Sequence, residues 1–396
     1  MQDLIEFSSV GEETENGITK KNYDKLSSTF VATTDWTIET IVGQIKKKNI
    51  DLNPKFQRRD AWNNKTKSNF IESIFLGLPI PQIVLAEKKN KKGKFIVIDG
   101  KQRLLTLRQF EAEKDDPDFK TFKLSGLKQK EDFNGYNYKK LSDNPRYVED
   151  IDFFDNQTIR TVIIRNWPDE DFLYLIFLRL NTGSVKLSPQ ELRQALHPGG
   201  FIDFADDFSQ NSTCIKNTLK LNKPDKRMRD VELVIRFFAF KNFLDQYHGG
   251  LKELFDLTCE TLNKKWETNP DQIENEAHQL ELALKTTEEI FGENNAFRKY
   301  SADHFDPRFN RAIFDIMVFY FSDENISEIA LKEKDKIVEA FKELSTQDAE
   351  FRDSLEKATS TPQNIHTRLS KWGNELATVL HIYLPIPTLQ QSTITY

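Results

Sequence analysis

The residues that bring most chemistry together are Asp99, Gly100, Lys101, Gln102 and Arg103, in the stretch FIVIDGKQRLLTLRQF at 95–110. An apolar run ends on the acid–glycine pair, and a helix-forming run starts at once. A carboxylate at a strand tip can hold a metal ion or orient a water. Gly100 permits positive φ and close approach of the backbone to a ligand. The residues after it occupy a first helical turn, whose free N–H groups favour an anion. Lys101 and Arg103 add full positive charges, and the arginine offers a planar fork that suits phosphate. Together these describe a phosphate or nucleotide pocket. A plain helix start with solvated cations uses the same residue types, so the stretch alone leaves both readings open.

Two further segments carry related chemistry. In NPKFQRRDAW, at 53–62, Gln57, Arg58 and Arg59 lie between Phe56 and Trp62 in an extended run that follows Pro54. Successive side chains of a strand point to opposite faces, so at most one of the two arginines enters a pocket. A surface strand with snorkelling cations fits the same pattern. In FLRLNTGSVKLSPQELRQAL, at 177–196, Ser188, Pro189 and Glu191 form a full capping box. That helix start is again anion-friendly, and Asn181, Gln190 and Arg193 make a candidate second pocket beside it, although a well-formed cap is reason enough for such residues.

The nearest approach to a nuclease metal site is ADHFDPRFN at 302–310, with Asp303, His304 and Asn310. It runs into an apolar helix and shows no strand pair of the kind an HNH site needs. The histidines at 197, 248, 278, 366 and 381 have no metal-ligand spacing, and no GxSxG or Walker pattern is present.

The elements that must position these residues follow from periodicity. TTDWTIETIVGQIKKKNI reads as a helix capped by Thr34 or Asp35, and NKTKSNFIESIFLG as a second that ends at Gly77. PQIVLAEKK and KFIVID read as a hairpin around NKKG, followed by a helix from Lys101 to about Glu113. The polar stretch 114–150 reads as an insertion over the surface. TIRTVIIRN reads as a buried strand and DEDFLYLIFLRL as a helix; from about residue 201 the spacing is helical throughout. The fold class is therefore α+β, with a mixed α/β first half and an all-helical second half. The divisions read from the sequence are a polar arm over 1–30, a domain over 31–200, a helical domain over 201–385 and a tail over 386–396.

The 396 residues carry a net charge of −6, so no global basic field draws the chain to nucleic acid, and any such contact must come from a local patch. The two cysteines lie far apart without metal spacing, which reads as reduced thiols. The opening segment has no apolar core of signal-peptide length and no segment approaches a membrane span, so the expected location is the cytoplasm, with no membrane partner.

Four segments in order, NPKFQRRDAW, FIESIFLGLPIPQIVL, FIVIDGKQRLLTL and FLRLNTGSVKLSPQELRQAL, resemble the signature of the GmrSD-type restriction endonuclease N-terminal domain. The likeness covers roughly residues 30 to 240. The family is similar in fold to ParB and sulfiredoxin, which implies a small mixed sheet in the first domain. It belongs to modification-dependent restriction and anti-phage systems. Its Asp-Gly-Gln-Gln-Arg motif is associated with binding and hydrolysis of nucleoside triphosphates, and the Gln-Arg ahead of the tryptophan lines the same pocket. The resemblance thus implies Asp99 and Arg103 as catalytic residues, and Gln57, Arg58, Gly100, Lys101 and Gln102 as nucleotide-binding ones. It implies Mg²⁺ with the nucleoside triphosphate, with Asp99 as metal ligand, and DNA, modified or not, together with an effector protein or a second copy of the chain, as partners. Lys101 stands where the family usually has its first glutamine, a change that still suits phosphate. A non-catalytic ParB-like nucleotide or DNA sensor, and a ParB-like DNA nuclease, are the competing readings.

Overall fold

The computed structural model describes residues 29–52, 62–180, 188–390 and 393–395. The chain divides between Leu196 and His197 into two compact units. The first contains β1 (Phe30–Thr37), α1 (Ile38–Lys46), α2 (Asn64–Phe75), β2 (Ile83–Glu87), β3 (Phe95–Asp99), α3 (Lys101–Phe110), α4 (Tyr138–Ser142), α5 (Val148–Asn156), β4 (Thr158–Arg165), α6 (Glu170–Leu180) and α7 (Pro189–Leu196). The four strands form one mixed sheet in the order β1-β4-β2-β3. β1 runs antiparallel to β4 and β3 antiparallel to β2, while β2 and β4 are parallel. The class is α+β.

Local sequence explains most of these elements. Ile38, Ile41, Val42 and Ile45 recur at helical spacing and are buried along one face of α1. The hairpin of β2 and β3 forms around NKKG, where Gly93 supplies the left-handed turn at φ +74°. Gly77, at φ +65°, follows the end of α2 as a left-handed residue should.

Two expectations need correction. The first helix does not begin at Thr34 or Asp35: Thr37 caps it, taking the Thr40 N–H at 3.1 Å. Residues 30–37 are a strand, with Asp35 opposite Arg160 and Trp36 opposite Ile159. β1 is an edge strand and none of its residues is fully buried, so its threonines and Asp35 hid the apolar alternation that marks a strand. Nor is 114–150 a surface insertion. Phe119, Leu124, Leu127, Phe133, Leu141 and Tyr147 are buried in the same core as α1, α2 and α3. Phe133 meets Phe75 edge to face at 4.9 Å between ring centres. These apolar residues are irregularly spaced, so no periodicity announced them.

One carboxylate anchors that segment. Glu72 of α2 is buried, and its Oε1 accepts three backbone N–H groups, from Lys128 (3.0 Å), Gln129 (2.8 Å) and Lys130 (3.0 Å). Replacing Glu72 with alanine leaves three amides without their acceptor, and charge-assisted bonds of this kind contribute about 1.5–3 kcal/mol each before relaxation. Glu72→Ala is expected to destabilise the fold by about 2–4 kcal/mol in urea unfolding, and Glu72→Gln, which keeps an acceptor oxygen, by less than half of that.

The second unit contains α8 (Gly200–Asn211), α9 (Thr213–Thr218), α10 (Arg229–Phe243), α11 (Leu251–Trp266), α12 (Pro270–Phe291), β5 (Arg298–Ser301), β6 (His304–Phe309), α13 (Arg311–Phe321), α14 (Glu324–Ala330), α15 (Lys334–Gln347), α16 (Ala349–Glu356), α17 (Pro362–Leu380), β7 (Thr388–Gln390) and β8 (Thr393–Thr395). It is helical apart from two short hairpins, β5/β6 and β7/β8, so the all-helical expectation is too strong. The strand pair missing from the sequence reading of 302–310 is present as β5/β6, closed by Ala302 and Asp303 at positive φ. Within the segment read as a tail, β7 pairs antiparallel with β8, and Ile394 is fully buried. Among the described residues no helix is long and apolar enough to cross a membrane.

Candidate nucleotide site

β3 delivers Asp99 to the end of the sheet, where it pairs in register with Val84, next to an irregularity between Val84 and Leu85. Gly100 follows at φ +97°, ψ 9° and serves as the cap of α3 without a side-chain bond. The chain can therefore turn from strand to helix within one residue, which leaves the first turn of α3 beside the strand tip.

Arg103 closes this junction. Its Nη2 donates to Asp99 Oδ2 at 2.8 Å and to the Gln82 carbonyl at 3.0 Å. One guanidinium thus ties the start of α3 to the end of β3 and to the residue ahead of β2. Asp99 keeps part of its carboxylate in solvent, with a side-chain exposure of 38% against 15% for Arg103. Arg103 Nε is buried without a hydrogen-bond partner, and so is Gln102 Oε1. A buried donor and a buried acceptor, both unsatisfied at one helix start, cost free energy unless something else engages them.

Lys101 faces α7. Its Nζ donates to Glu191 Oε1 at 2.8 Å, and both side chains are largely buried. The capping box of α7 forms as its residues require: Ser188 Oγ takes the Glu191 N–H at 3.2 Å, and Glu191 Oε2 takes the Ser188 N–H at 2.8 Å. Glu191 therefore does two jobs, one oxygen on its own helix start and the other on Lys101. Gln190 and Arg193 are brought together directly, Arg193 Nη1 donating to Gln190 Oε1 at 2.8 Å, and both are buried. The two candidate clusters are thus neighbours, linked through Lys101 and Glu191. Gln57, Arg58 and Asn181 lie outside the described residues.

Sequence reading missed two members of this cluster. Glu191 was legible only as a cap, because nothing local says which side chain its second oxygen will meet. Gln194 was not singled out, yet it is 4% exposed and neither its Nε2 nor its Oε1 has a partner. Gln190 Nε2 is likewise buried and unsatisfied. Two amides at i and i+4 on a helix whose polar residues are largely buried are the signal that could have found them.

The position of Gly100 gives a direct check. A Cβ there would lie 3.0 Å from Ile83 Cγ1 and 3.2 Å from Arg103 Nη2, at a φ that L side chains rarely adopt. Gly100→Ala is expected to lower stability by about 1–3 kcal/mol and to push the Arg103 guanidinium off Asp99, seen as a lower denaturant midpoint.

The HNH-like segment does not assemble in the same way. Asn310 is buried and spends its side chain on capping α13 at Ile313 (3.1 Å) and on the Leu355 carbonyl (3.3 Å). His304 is exposed, with Nδ1 at 3.0 Å from the Ala302 carbonyl. Among the described residues no group of three potential metal ligands includes His304.

The family model for the GmrSD restriction endonuclease, N-terminal domain, matches residues 38–198. No curated protein and no solved structure matches the chain. The matched span runs from the first residue of α1 to just beyond α7, and it encloses the whole cluster from Asp99 to Gln194. Residues 38–198 thus match the GmrSD restriction endonuclease, N-terminal domain, a likeness that indicates a component of a restriction system.

Proposed function

We propose that the β3–α3 junction binds a nucleoside triphosphate and hydrolyses it, as the motor or licensing module of a restriction system. The observation that carries this reading is Arg103, held between Asp99 and the Gln82 carbonyl with Nε unsatisfied, at a helix start that opens through a left-handed glycine. A helix N-terminus and a guanidinium suit a phosphate, and charge placed there stabilises a phosphoryl group in transfer. Lys101, Gln102, Gln190 and Gln194 supply further donors and acceptors around it, and Gln57 and Arg58 join them on the strength of the sequence resemblance. The ParB/sulfiredoxin-like reading of the mixed sheet rests on the same resemblance.

The donor set fits a magnesium ion that arrives with the nucleotide. Such an ion takes one or two carboxylates and otherwise phosphate and water oxygens, and Asp99 has one oxygen outside the Arg103 bond. Asp99 would hold the ion, which supplies neutralisation of phosphate charge. Arg103 and Lys101 act as fixed cations, and Asp99 also keeps Arg103 oriented.

The competing reading, a sensor that binds nucleotide without turnover, is favoured by one fact: Lys101 and Arg103 are each already paired with an acid. The test is a phosphate-release screen of the four common ribonucleoside triphosphates with Mg²⁺, with and without DNA. Release that is lost in Asp99→Ala while nucleotide still binds supports the hydrolase. Binding of nucleotide with no release under any condition selects the sensor, and nicking of plasmid lost in the same variant selects the nuclease.

A further inference from the structure

The overall charge of −6 hides one strongly basic surface. It is built from two segments, Lys46–Asp51 from the last residue of α1 onward and Glu87–Lys94 from the last residue of β2 to the start of β3. They contain Lys46, Lys47, Lys48, Lys88, Lys89, Lys91, Lys92 and Lys94, against Asp51 and Glu87 as the carboxylates of the same stretches. Far apart in sequence, the segments are stapled together in space. Lys94 Nζ donates to the Lys48 carbonyl at 3.2 Å and to Asn49 Oδ1 at 2.9 Å, and the Phe95 N–H donates to the Asn49 carbonyl at 2.7 Å. Ile50 adds a parallel bridge to Phe95.

The acids nearby are occupied, and one of them neutralises a patch lysine: Lys46 Nζ donates to Glu111 Oε2 at 2.9 Å. Glu87 Oε1 takes the Gly93 N–H at 2.9 Å, its Oε2 lies 3.5 Å from Arg165, and Asp51 lies 3.8 Å from Lys88. Lys89 sits over the Trp167 ring at 4.3 Å and donates to the Pro168 carbonyl, so its direction is fixed. Lys47, Lys48, Lys91 and Lys92 are exposed and have no ion pair among the described residues. Several ammonium groups held this close together repel one another and concentrate a counter-anion.

We infer that this lysine surface is the face on which the domain grips the phosphate backbone of double-stranded DNA, which rests on the restriction reading above. Three features choose the partner. The cations are lysines, point charges that suit phosphates without reading bases. None of the exposed large apolar side chains among the described residues lies in either segment, which removes the stacking platform of a single-strand binder and the inserting residues of a membrane-surface binder. The patch also sits at the Phe95 end of β3, about four residues and ~13 Å from Asp99 at the other end, on a strand that rises ~3.3 Å per residue. Backbone contact with DNA and the candidate nucleotide site thus occupy the two ends of one short strand.

The test uses the full chain and a 30-base-pair duplex labelled for anisotropy, titrated from low to high salt. Wild type is compared with Lys47→Glu/Lys48→Glu/Lys91→Glu/Lys92→Glu and with a charge-matched control, Lys264→Glu/Lys285→Glu/Lys332→Glu/Lys357→Glu, in the helical unit. Each phosphate contact contributes ~0.9 to the slope of log K against log salt, so the patch variant is expected to lose about 3–4 from that slope and at least about tenfold in affinity, while the control stays within about twofold of wild type. Circular dichroism and thermal melting confirm that both variants fold. The inference is overturned if the patch variant binds duplex like wild type, if both variants weaken equally, or if wild type prefers anionic phospholipid vesicles to duplex. Phosphate release, measured with and without DNA, is read separately: its absence in wild type under both conditions sinks the hydrolase reading and leaves the DNA result standing.

Discussion

On the proposed hydrolase reading, Arg103→Ala is expected to reduce nucleoside triphosphate turnover by at least about 10²–10³-fold, the loss that follows removal of one preorganised transition-state donor, and by about 10³–10⁵-fold where the guanidinium stabilises the phosphoryl group directly. The reason lies in what the side chain joins. Its Nη2 holds Asp99 at 2.8 Å and the Gln82 carbonyl at 3.0 Å, so truncation removes a cation and releases the carboxylate beside it together. Arg103→Lys is expected to recover little, because one ammonium cannot reach both partners with the geometry of a planar fork. Arg108→Ala is the matched control. It sits further along α3, paired with Asp116 and packed on the Phe119 ring at 4.6 Å, so its loss lowers stability and leaves turnover per folded molecule unchanged. Phosphate release that stays within twofold of wild type in Arg103→Ala would remove Arg103 from the chemistry.

The second large effect belongs to the helical unit and concerns folding. Asp315 of α13 is buried between Arg236 of α10 and Arg368 of α17, all three at most 1% exposed. Arg236 reaches it through Nε and through Nη2 at 2.8 Å, and Arg368 through Nη2 at 2.9 Å. Burial pulls both guanidinium pKa values down; at Arg236 the Asp315 carboxylate more than offsets this, whereas at Arg368 the net shift stays downward. Asp315→Ala strands two positive charges in the core, and breaking a buried pair by removing one partner costs about 3–5 kcal/mol. With two cations on one acid the loss is expected at the top of that range, a large share of the 5–15 kcal/mol typical of a folded protein. The readout is urea or thermal unfolding, or recovery of soluble protein where the variant does not fold. Replacing all three residues with apolar ones, Asp315→Val with Arg236→Met and Arg368→Met, is expected to recover most of the stability. A single variant Asp315→Ala that unfolds like wild type would show that the two arginines find other partners.

Both variants act on ionic contacts, and they differ in purpose. The Asp315 cluster is closed: α10, α13 and α17 each contribute one member, and the cluster is buried from solvent. The Asp99 cluster is open: its acid is partly exposed, and four neighbouring side chains, Gln102, Arg103, Gln190 and Gln194, carry unsatisfied polar atoms. That openness, with polar atoms left unsatisfied at a strand tip, is the feature on which the proposed nucleotide site rests.

Much of this was legible in the residue order. The hairpin of β2 and β3, the αL glycine at 100, the cap at Ser188 and the amphipathic helices each depend on interactions within a few residues, and those the sequence by itself determined. So did the family motif, because it is a string. Tertiary structure decided the rest. Whether Glu191 would end on Lys101, whether the lysines of 46–48 and 88–94 would form one surface, and whether Phe119 or Phe133 would join the core are all questions of long-range neighbours. So is the strand identity of residues 30–37, which depends on β4 more than one hundred positions away. Local propensity sums over a turn or two; charge pairing and burial depend on which segments the sheet brings together, and no window along the chain contains that information.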